Sequence, residues 1–376
     1  MSRQSYRAGQ VFDGENLLSD AAVTVEDGRV VAIGPETGDC VDLGPGVLCP
    51  GMIDLQVNGA GGVQIDGATD LAGLTRVCGT LARLGATGCL PTLITATPEA
   101  TEAVVAAGIA AARAGLPGFL GLHLEGPHLD PRRKGAHEAA LIRPMEQADL
   151  ELLLYARQNL PALMVTLAPE SASLDQIATL SAAGVIVSLG HTDCSAEVAQ
   201  AAMAAGARVA THLFNAMSQL GNRAPGLVGA VLGSTGFAGL IADGIHVDPL
   251  ALRVALAARR DGIFLVSDCM ALAGTDLTEI QLGGRQILRR DGRLTLADGT
   301  LAGADLTLPQ AVKTLVQQVG LAPERALAMA TSLPAAVLGR ADRGHLRPGA
   351  PADMVLLSPG WQVQAVWQAG GRLELA

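Results

Sequence analysis

The chain has 376 residues, 26 basic and 36 acidic side chains, and a net charge of −10. Hydrophobic residues make up 49% of it, which rules out a disordered chain and supplies a large core without disulfide staples. With so acidic a balance and aromatics at 2%, neither a basic face nor a ring platform exists for nucleic acid, and no nucleic-acid partner is expected.

The opening MSRQSYRAGQ is polar and has no apolar signal core. Mean hydropathy is positive, +0.35, yet Arg113, Pro117 and recurrent Gly and Ala interrupt every apolar stretch before the ~20 residues that a membrane span needs. No membrane association and a cytoplasmic location are therefore expected. Cys40, Cys49, Cys78, Cys89, Cys194 and Cys269 form no CxxC pair and read as single thiols in a reducing compartment.

Residues 10–35 alternate as β-ribbon around the turn signal Asp27-Gly28. Eight short apolar runs follow, separated by Ala-rich helical stretches: MIDLQV (52–57), GCLPTLI (88–94), FLGLHLE (119–125), LMVTLA (163–168), VIVSLGH (185–191), RVATHL (208–213), FAGLIAD (237–243) and IFLVSD (263–268). Eight strand–helix repeats over roughly 250 residues predict a (β/α)₈ TIM barrel. The alternative, a doubly wound open sheet, wants a GxGxxG turn after its first strand, and none is present. Turn signals at Asp291-Gly292 and Asp298-Gly299 predict an inserted β-hairpin at about 274–305, and helices follow at about 306–319 and 323–338. From Asp353 the chain returns to short strands. The predicted α/β architecture is a barrel over 50–341 and a small β-sandwich built from 1–49 and 342–376.

In such a barrel the chemistry sits where strands end. Glu125 ends the third run, His191 the fifth, His212 lies at the end of the sixth, Asp243 and His246 follow the seventh, and Asp268 ends the eighth. One isolated histidine is more often an ordinary polar residue than a ligand. Three of the seven histidines at predicted strand ends, together with two carboxylates, point to a site. Glu125, His191 and His212 form a carboxylate–imidazole set suited to catalytic zinc with one position open to water. Asp268 is then placed to take a proton from that water and hand it to a leaving amine. His123, two residues before Glu125, shares its strand face and reads equally well as a structural residue. The loop PRRKGAHEAALIRP (131–144) has the composition of an active-site flap, and its His137 is a candidate for polarising a carbonyl. Arg223, in the Gly-rich GNRAPGLVGA, is a candidate for an anion such as phosphate.

These motifs, in order, resemble the N-acetylglucosamine-6-phosphate deacetylases of the amidohydrolase superfamily: PGMIDLQVNGAGG, GLHLEGPHLDPRRKGAH, SLGHTDCSAEVAQAAMAAGA, ATHLFNAMSQLGNRAPGLVGA, IADGIHVDP, LVSDCMALAG and LRPGAPADMVLL. The resemblance runs nearly end to end. It implies a barrel with a small β-sandwich, a divalent ion on Glu125, His191 and His212, Asp268 as base and then acid, and His137 at the acetamide carbonyl. It further implies that His246 and Arg223 contact a sugar phosphate, with Asn215 and Ala216 adding backbone and amide contacts, and that the phosphate site is completed across a homodimer. Many amidohydrolases carry His-x-His on the first strand; here it reads Gln56-Val57-Asn58, so one metal ion per subunit is expected, zinc first and iron(II), cobalt or manganese as alternatives, with Gln56 hydrogen-bonding near the attacking water. His128 and Met270-Ala271-Leu272 depart from the family pattern and are expected to bear on sugar selectivity. The expected reaction is hydrolysis of N-acetyl-D-glucosamine 6-phosphate to D-glucosamine 6-phosphate and acetate. The alternatives are the galactosamine epimer or another acylated amine, and, outside enzymes, a binding scaffold.

Overall fold

A computed structural model describes residues 3–35 and 38–375. Eight parallel strands form the central sheet: β1 (Met52–Val57), β2 (Ala86–Ile94), β3 (Leu122–Glu125), β4 (Leu163–Leu167), β5 (Ile186–Leu189), β6 (Val209–Ala210), β7 (Phe237–Leu240) and β8 (Ile263–Leu265), each hydrogen-bonded to the next in order. All six residues of β1 are buried, as expected of a strand covered on both faces. The first three predicted runs end with their strands, and the last four end two or three residues beyond the observed strand. His191, His212 and Asp268 therefore lie in loops just beyond the ladder, while Glu125 is the last residue of β3. The sixth run keeps only two residues in the sheet.

Helices cover the outside, and their starts are written locally. Asp70, Thr97, Ser173 and Ser195 each accept a hydrogen bond from a first-turn amide, a cap that contributes about 1 kcal/mol. Left-handed Gly115 and Gly206, at φ 62° and 117°, sit just past the helices Pro98–Arg113 and Ala196–Ala204, where a side chain would be strained. The single helix expected over 323–338 is two, Pro323–Ala330 and Ser332–Val337, broken at Thr331, whose φ of −130° is not helical. Among the described residues no helix is long and apolar enough to cross a membrane.

The seam between β8 and β1 is closed by a few bonds rather than a long ladder. Asp268 N–H donates to the Gln56 carbonyl oxygen at 3.0 Å, and Asn58 N–H to that of Cys269 at 2.8 Å. Below them the Asp54 carboxylate accepts from the backbone N–H of Ser267 and of Gln56. Burial pushes Asp54 up to about 7, against donors that favour the anion. The folded state thus holds the Asp54 proton more tightly than the unfolded chain does. The stability that this proton contributes is complete below about pH 4 and is lost as pH rises through about 7. Asp54→Asn removes the titration. Its stability relative to the parent is expected to improve between pH 5 and pH 8 in urea unfolding, and an unchanged difference would contradict this assignment.

Segments from both sides of the barrel build the small β domain. One sheet joins Gln4–Arg7, Ala22–Glu26, Arg29–Gly34 and Cys40–Asp42; the other places Val47–Pro50 between Gln10–Phe12 and Met354–Leu357. Val11, Val23, Val30, Leu48 and Trp367 fill the space between them. The region expected as one inserted hairpin is larger. Glu279–Leu282, Arg285–Arg290, Arg293–Thr295 and Leu301–Ala304 form a four-stranded antiparallel sheet. It has its own core of Met270, Leu272, Leu282, Ile287 and Leu294, packed against Ile94 and Ala136 at the barrel mouth.

Candidate active site

A cavity of about 250 Å³ opens at the C-terminal end of the barrel. Its lining includes Glu125, His137, His191, His212, Asn215, Ala216, His246 and Asp268, which come from five different strand ends and the flap. Besides Ala216, three of these residues are backbone outliers: His191, His212 and Asp268 have φ of 48°, 28° and 52°, in the region that non-glycine residues avoid. Each lies just past its strand, and strain of this kind persists where surrounding structure fixes a functional side chain.

Glu125 Oε1 lies 3.1 Å from Nε2 of both His191 and His212, and the two Nε2 atoms are 3.1 Å apart. All three residues are buried. His191 donates its Nδ1 proton to the Arg133 carbonyl oxygen at 2.8 Å, so its Nε2 presents a lone pair to the cluster. The Nδ1 of His212 is buried with no hydrogen-bond partner among the described residues. Three converging electron-pair donors in a buried space need a positive centre between them. Bonds of 2.0–2.2 Å around a tetrahedral ion place ligand atoms roughly 3.3 Å apart, close to what is seen here. The residues present fit a divalent ion, and among the described residues they form the group of three able to hold one.

Beside this cluster Asp268 is tied to the first strand. Asn58 Nδ2 donates to its Oδ1 at 2.7 Å, and Gln56 Nε2 to the same oxygen at 3.1 Å. Gln56 Nε2 also reaches Glu125 Oε1 at 3.2 Å. Gln56 therefore stands behind the cavity wall and links the two carboxylates. Both amides use Oδ1, which leaves Oδ2 of Asp268 without a hydrogen bond among the described residues. Burial, and then the charge of Glu125, push Asp268 up to about 6.

His137 faces the same space, with Nε2 3.9 Å from Glu125 Oε2. Its Nδ1 accepts from the Thr95 N–H at 3.3 Å and lies 2.7 Å from Thr95 Oγ1. A backbone amide can only donate, so Nδ1 is the acceptor and Nε2 carries the proton. Burial and the neighbouring His191 push the ring down to about 3, so it is a neutral donor at any working pH. His137→Ala is expected to lower kcat by about 10²- to 10³-fold, the cost of one oxyanion donor. A rate within tenfold of the parent would remove it from that role.

His246 is oriented by Asp243, whose Oδ2 lies 2.6 Å from His246 Nδ1. The Ala216 N–H makes no hydrogen bond among the described residues, and Ala216 has φ 49°. Arg223 is exposed and does not line this cavity. His123 sits one layer below Glu125, bonded through Nε2 to Thr166 Oγ1 at 2.7 Å and through Nδ1 to the Leu55 carbonyl oxygen at 3.2 Å, which makes it a barrel-interior residue. The expectation for His128 is corrected. Its ring bonds the Arg143 carbonyl oxygen and packs near Asp149 in a separate small cavity, because the chain turns outward after Gly126-Pro127. Of the Met270–Leu272 segment only Met270 lines the site; Leu272 turns into the core of the inserted sheet. Sequence reasoning missed Thr95, the Arg133 carbonyl and the hold of Asn58 on Asp268. Asn58 alone carried a signal, its place two residues after Gln56.

Residues 47–372 match the family model described as Amidohydrolase family. The chain is 37% identical to the N-acetylgalactosamine-6-phosphate deacetylase of Shewanella sp. (strain ANA-3), over 98% of this chain and 95% of that one. It is 36% identical to the N-acetylglucosamine-6-phosphate deacetylase of Vibrio furnissii, over 97% and 94%. The chain belongs to the amidohydrolase family, among its N-acetylhexosamine-6-phosphate deacetylases. The crystal structure of the N-acetylglucosamine-6-phosphate deacetylase from Pasteurella multocida superposes with a TM-score of 0.94 at 31% identity, covering 99% of this chain and 100% of that one. A mutant of the Mycobacterium smegmatis deacetylase, in complex with N-acetyl-D-glucosamine-6-phosphate, gives 0.92 at 33% identity, with 99% of each chain covered. This amidohydrolase thus shares with them its barrel and its small β domain.

Proposed function

We propose that this amidohydrolase converts N-acetyl-D-glucosamine 6-phosphate and water to D-glucosamine 6-phosphate and acetate. The observation that carries the reading is the convergence of the Glu125–His191–His212 cluster, Asp268 and the His137 Nε2–H in one cavity. A divalent ion held by that cluster, zinc by donor preference with iron(II), cobalt and manganese as alternatives, supplies Lewis acidity at the acetamide carbonyl and acidifies the attacking water. Asp268 accepts the proton of that water at its free Oδ2 while Asn58 and Gln56 hold Oδ1. The His137 Nε2–H donates to the oxyanion as the carbonyl becomes tetrahedral. Asp268 then returns the proton to the departing amine, and acetate leaves.

At the other end of the sugar, the phosphate meets His246, the Asn215 segment and the unpartnered Ala216 N–H. Few cationic groups line the cavity of a single chain, although the ligand is an anion. In this reading Arg223 serves the phosphate of the neighbouring subunit in a homodimer. Leu220 beside it is 55% exposed, an apolar surface suited to such a contact. Arg223→Ala is expected to raise KM for the phosphosugar by about 10- to 100-fold, the cost of a charge-assisted hydrogen bond, with kcat within twofold. An unchanged KM would take Arg223 out of the phosphate site. Cys78 and Cys89, with Sγ atoms 3.7 Å apart and unjoined, support work in a reducing cytoplasm.

The second reading, N-acetyl-D-galactosamine 6-phosphate, rests on the 37% and 35% identities to deacetylases named for that epimer. Acetate release from both phosphorylated epimers and from unphosphorylated N-acetylglucosamine, with metal content determined on the same sample, separates the readings. Preferred turnover of the glucosamine epimer with dependence on phosphate is the expected result. Preference for the other epimer establishes the second reading, and turnover without phosphate overturns both.

A further inference from the structure

The flap that carries His137 is held at two places by unrelated parts of the chain. Its first half is gripped from the barrel. Arg132 pairs with Asp130 at 2.6 Å, and Arg133 pairs with Asp193 at 2.6 Å, which fixes the carbonyl that orients His191. Lys134 and Gly135 then run exposed. The second half is gripped from above. Arg285, the first residue of the second strand in the inserted sheet, donates from Nη2 to the Ala136 carbonyl oxygen at 2.6 Å, and the Ala136 side chain packs against that sheet's core. Arg285 pairs in register with Leu282, which lines the catalytic cavity. The Arg285 Nε–H is buried with no hydrogen-bond partner among the described residues, so the side chain keeps this contact with that donor unsatisfied.

We propose that Arg285 is a positioning residue for hydrolysis: by holding the Ala136 carbonyl it sets the place of the adjacent His137, whose Nδ1 Thr95 fixes from the other side. The inserted sheet thereby belongs to the catalytic apparatus, although it contributes no group that touches the reacting atoms. The inference rests on the deacetylase reading for its rate effects. Its mechanical part, that Arg285 restrains residues 134–138, stands on the hydrogen bond itself.

The test uses Arg285→Met and Arg285→Lys in the full-length protein, each also combined with His137→Ala. Arg285→Met is expected to lower kcat about tenfold or more, since misplacing a group by about 1 Å costs up to 10²-fold. KM stays within twofold and metal content is unchanged, because the phosphate end and the His191 support lie elsewhere. Arg285→Lys, which keeps a donor, recovers part of the rate. In the His137→Ala background neither substitution lowers kcat further. Amide hydrogen exchange over 134–138 quickens in Arg285→Met and not in the barrel strands. An unchanged kcat, or an equal loss with and without His137, overturns the proposal. If no hexosamine phosphate is turned over, the deacetylase reading fails instead, and exchange alone decides: unaltered exchange in the flap overturns the restraint. Should the Met variant not fold, Arg285→Gln, too short to reach the Ala136 carbonyl, takes its place in the same comparisons, and a parental kcat with parental exchange over 134–138 overturns the proposal.

Discussion

Asp268→Asn is expected to lower kcat by about 10⁴-fold, the upper end for a group that serves as both base and acid. The substitution is nearly isosteric. Asn58 and Gln56 still find an acceptor at Oδ1, so the backbone at φ 52° and the metal content should be retained. What disappears is the second oxygen able to take a proton. The parent's kcat/KM should fall on the acid side, where Asp268 is protonated and cannot accept. Burial and Glu125 place that limb near pH 6, and a divalent cation in the cluster favours the anion and moves it lower. A variant with parental kcat, or one that has lost its metal, would contradict the assignment. Metal analysis beside steady-state kinetics distinguishes the two failures.

Glu125→Gln is expected to abolish turnover by a different route. Glu125 supplies the anionic charge at the centre of the cluster. Burial opposes its ionisation, yet the His191 and His212 rings beside it hold it well below the usual carboxylate range. Replacing it leaves two imidazole nitrogens 3.1 Å apart with no anion between them. Mere outer partners of a metal site change affinity by about 10- to 100-fold, so loss of a direct anionic ligand should exceed about 100-fold. Metal per chain after dialysis against a weak chelator should drop from near one to near zero, with activity following it. Retention of metal by Glu125→Gln would show that the ion binds elsewhere. Adding zinc, cobalt or manganese back to chelated parent protein and following acetate release ranks the candidate ions on the same footing.

The chemistry-bearing residues were legible because a parallel barrel converts chain order into position. Each apolar run is a strand, and the polar residue that ends it must lie at the common C-terminal face. Glu125, His191, His212 and Asp268 follow from this rule alone. The same rule overshoots the ends of the last four strands by two or three residues. Hydrophobic pattern continues into His191 and His212, while the left-handed backbone at those residues stops the ladder earlier. His128 escapes the rule for a related reason. It is three residues from Glu125 in sequence, but beyond Gly126-Pro127 the chain no longer follows a strand, and period-two reasoning gives no direction for a loop side chain.

The sequence by itself determined the strand count, the helix caps, the return of the last segment to β structure and the inventory of candidate metal-binding and proton-transfer groups. Each of these follows from local patterning or from composition at a strand end. Only the tertiary structure decided which tautomer His137 holds, which oxygen of Asp268 is free, that Asp54 closes the β1–β8 seam, and that Arg285 reaches the flap. These depend on hydrogen bonds between residues 42 to 213 positions apart. A hydrogen bond is set by distances of a few tenths of an ångström and by donor direction. Neither leaves a trace in the spacing of residues along a chain, because the packing of the whole barrel fixes them.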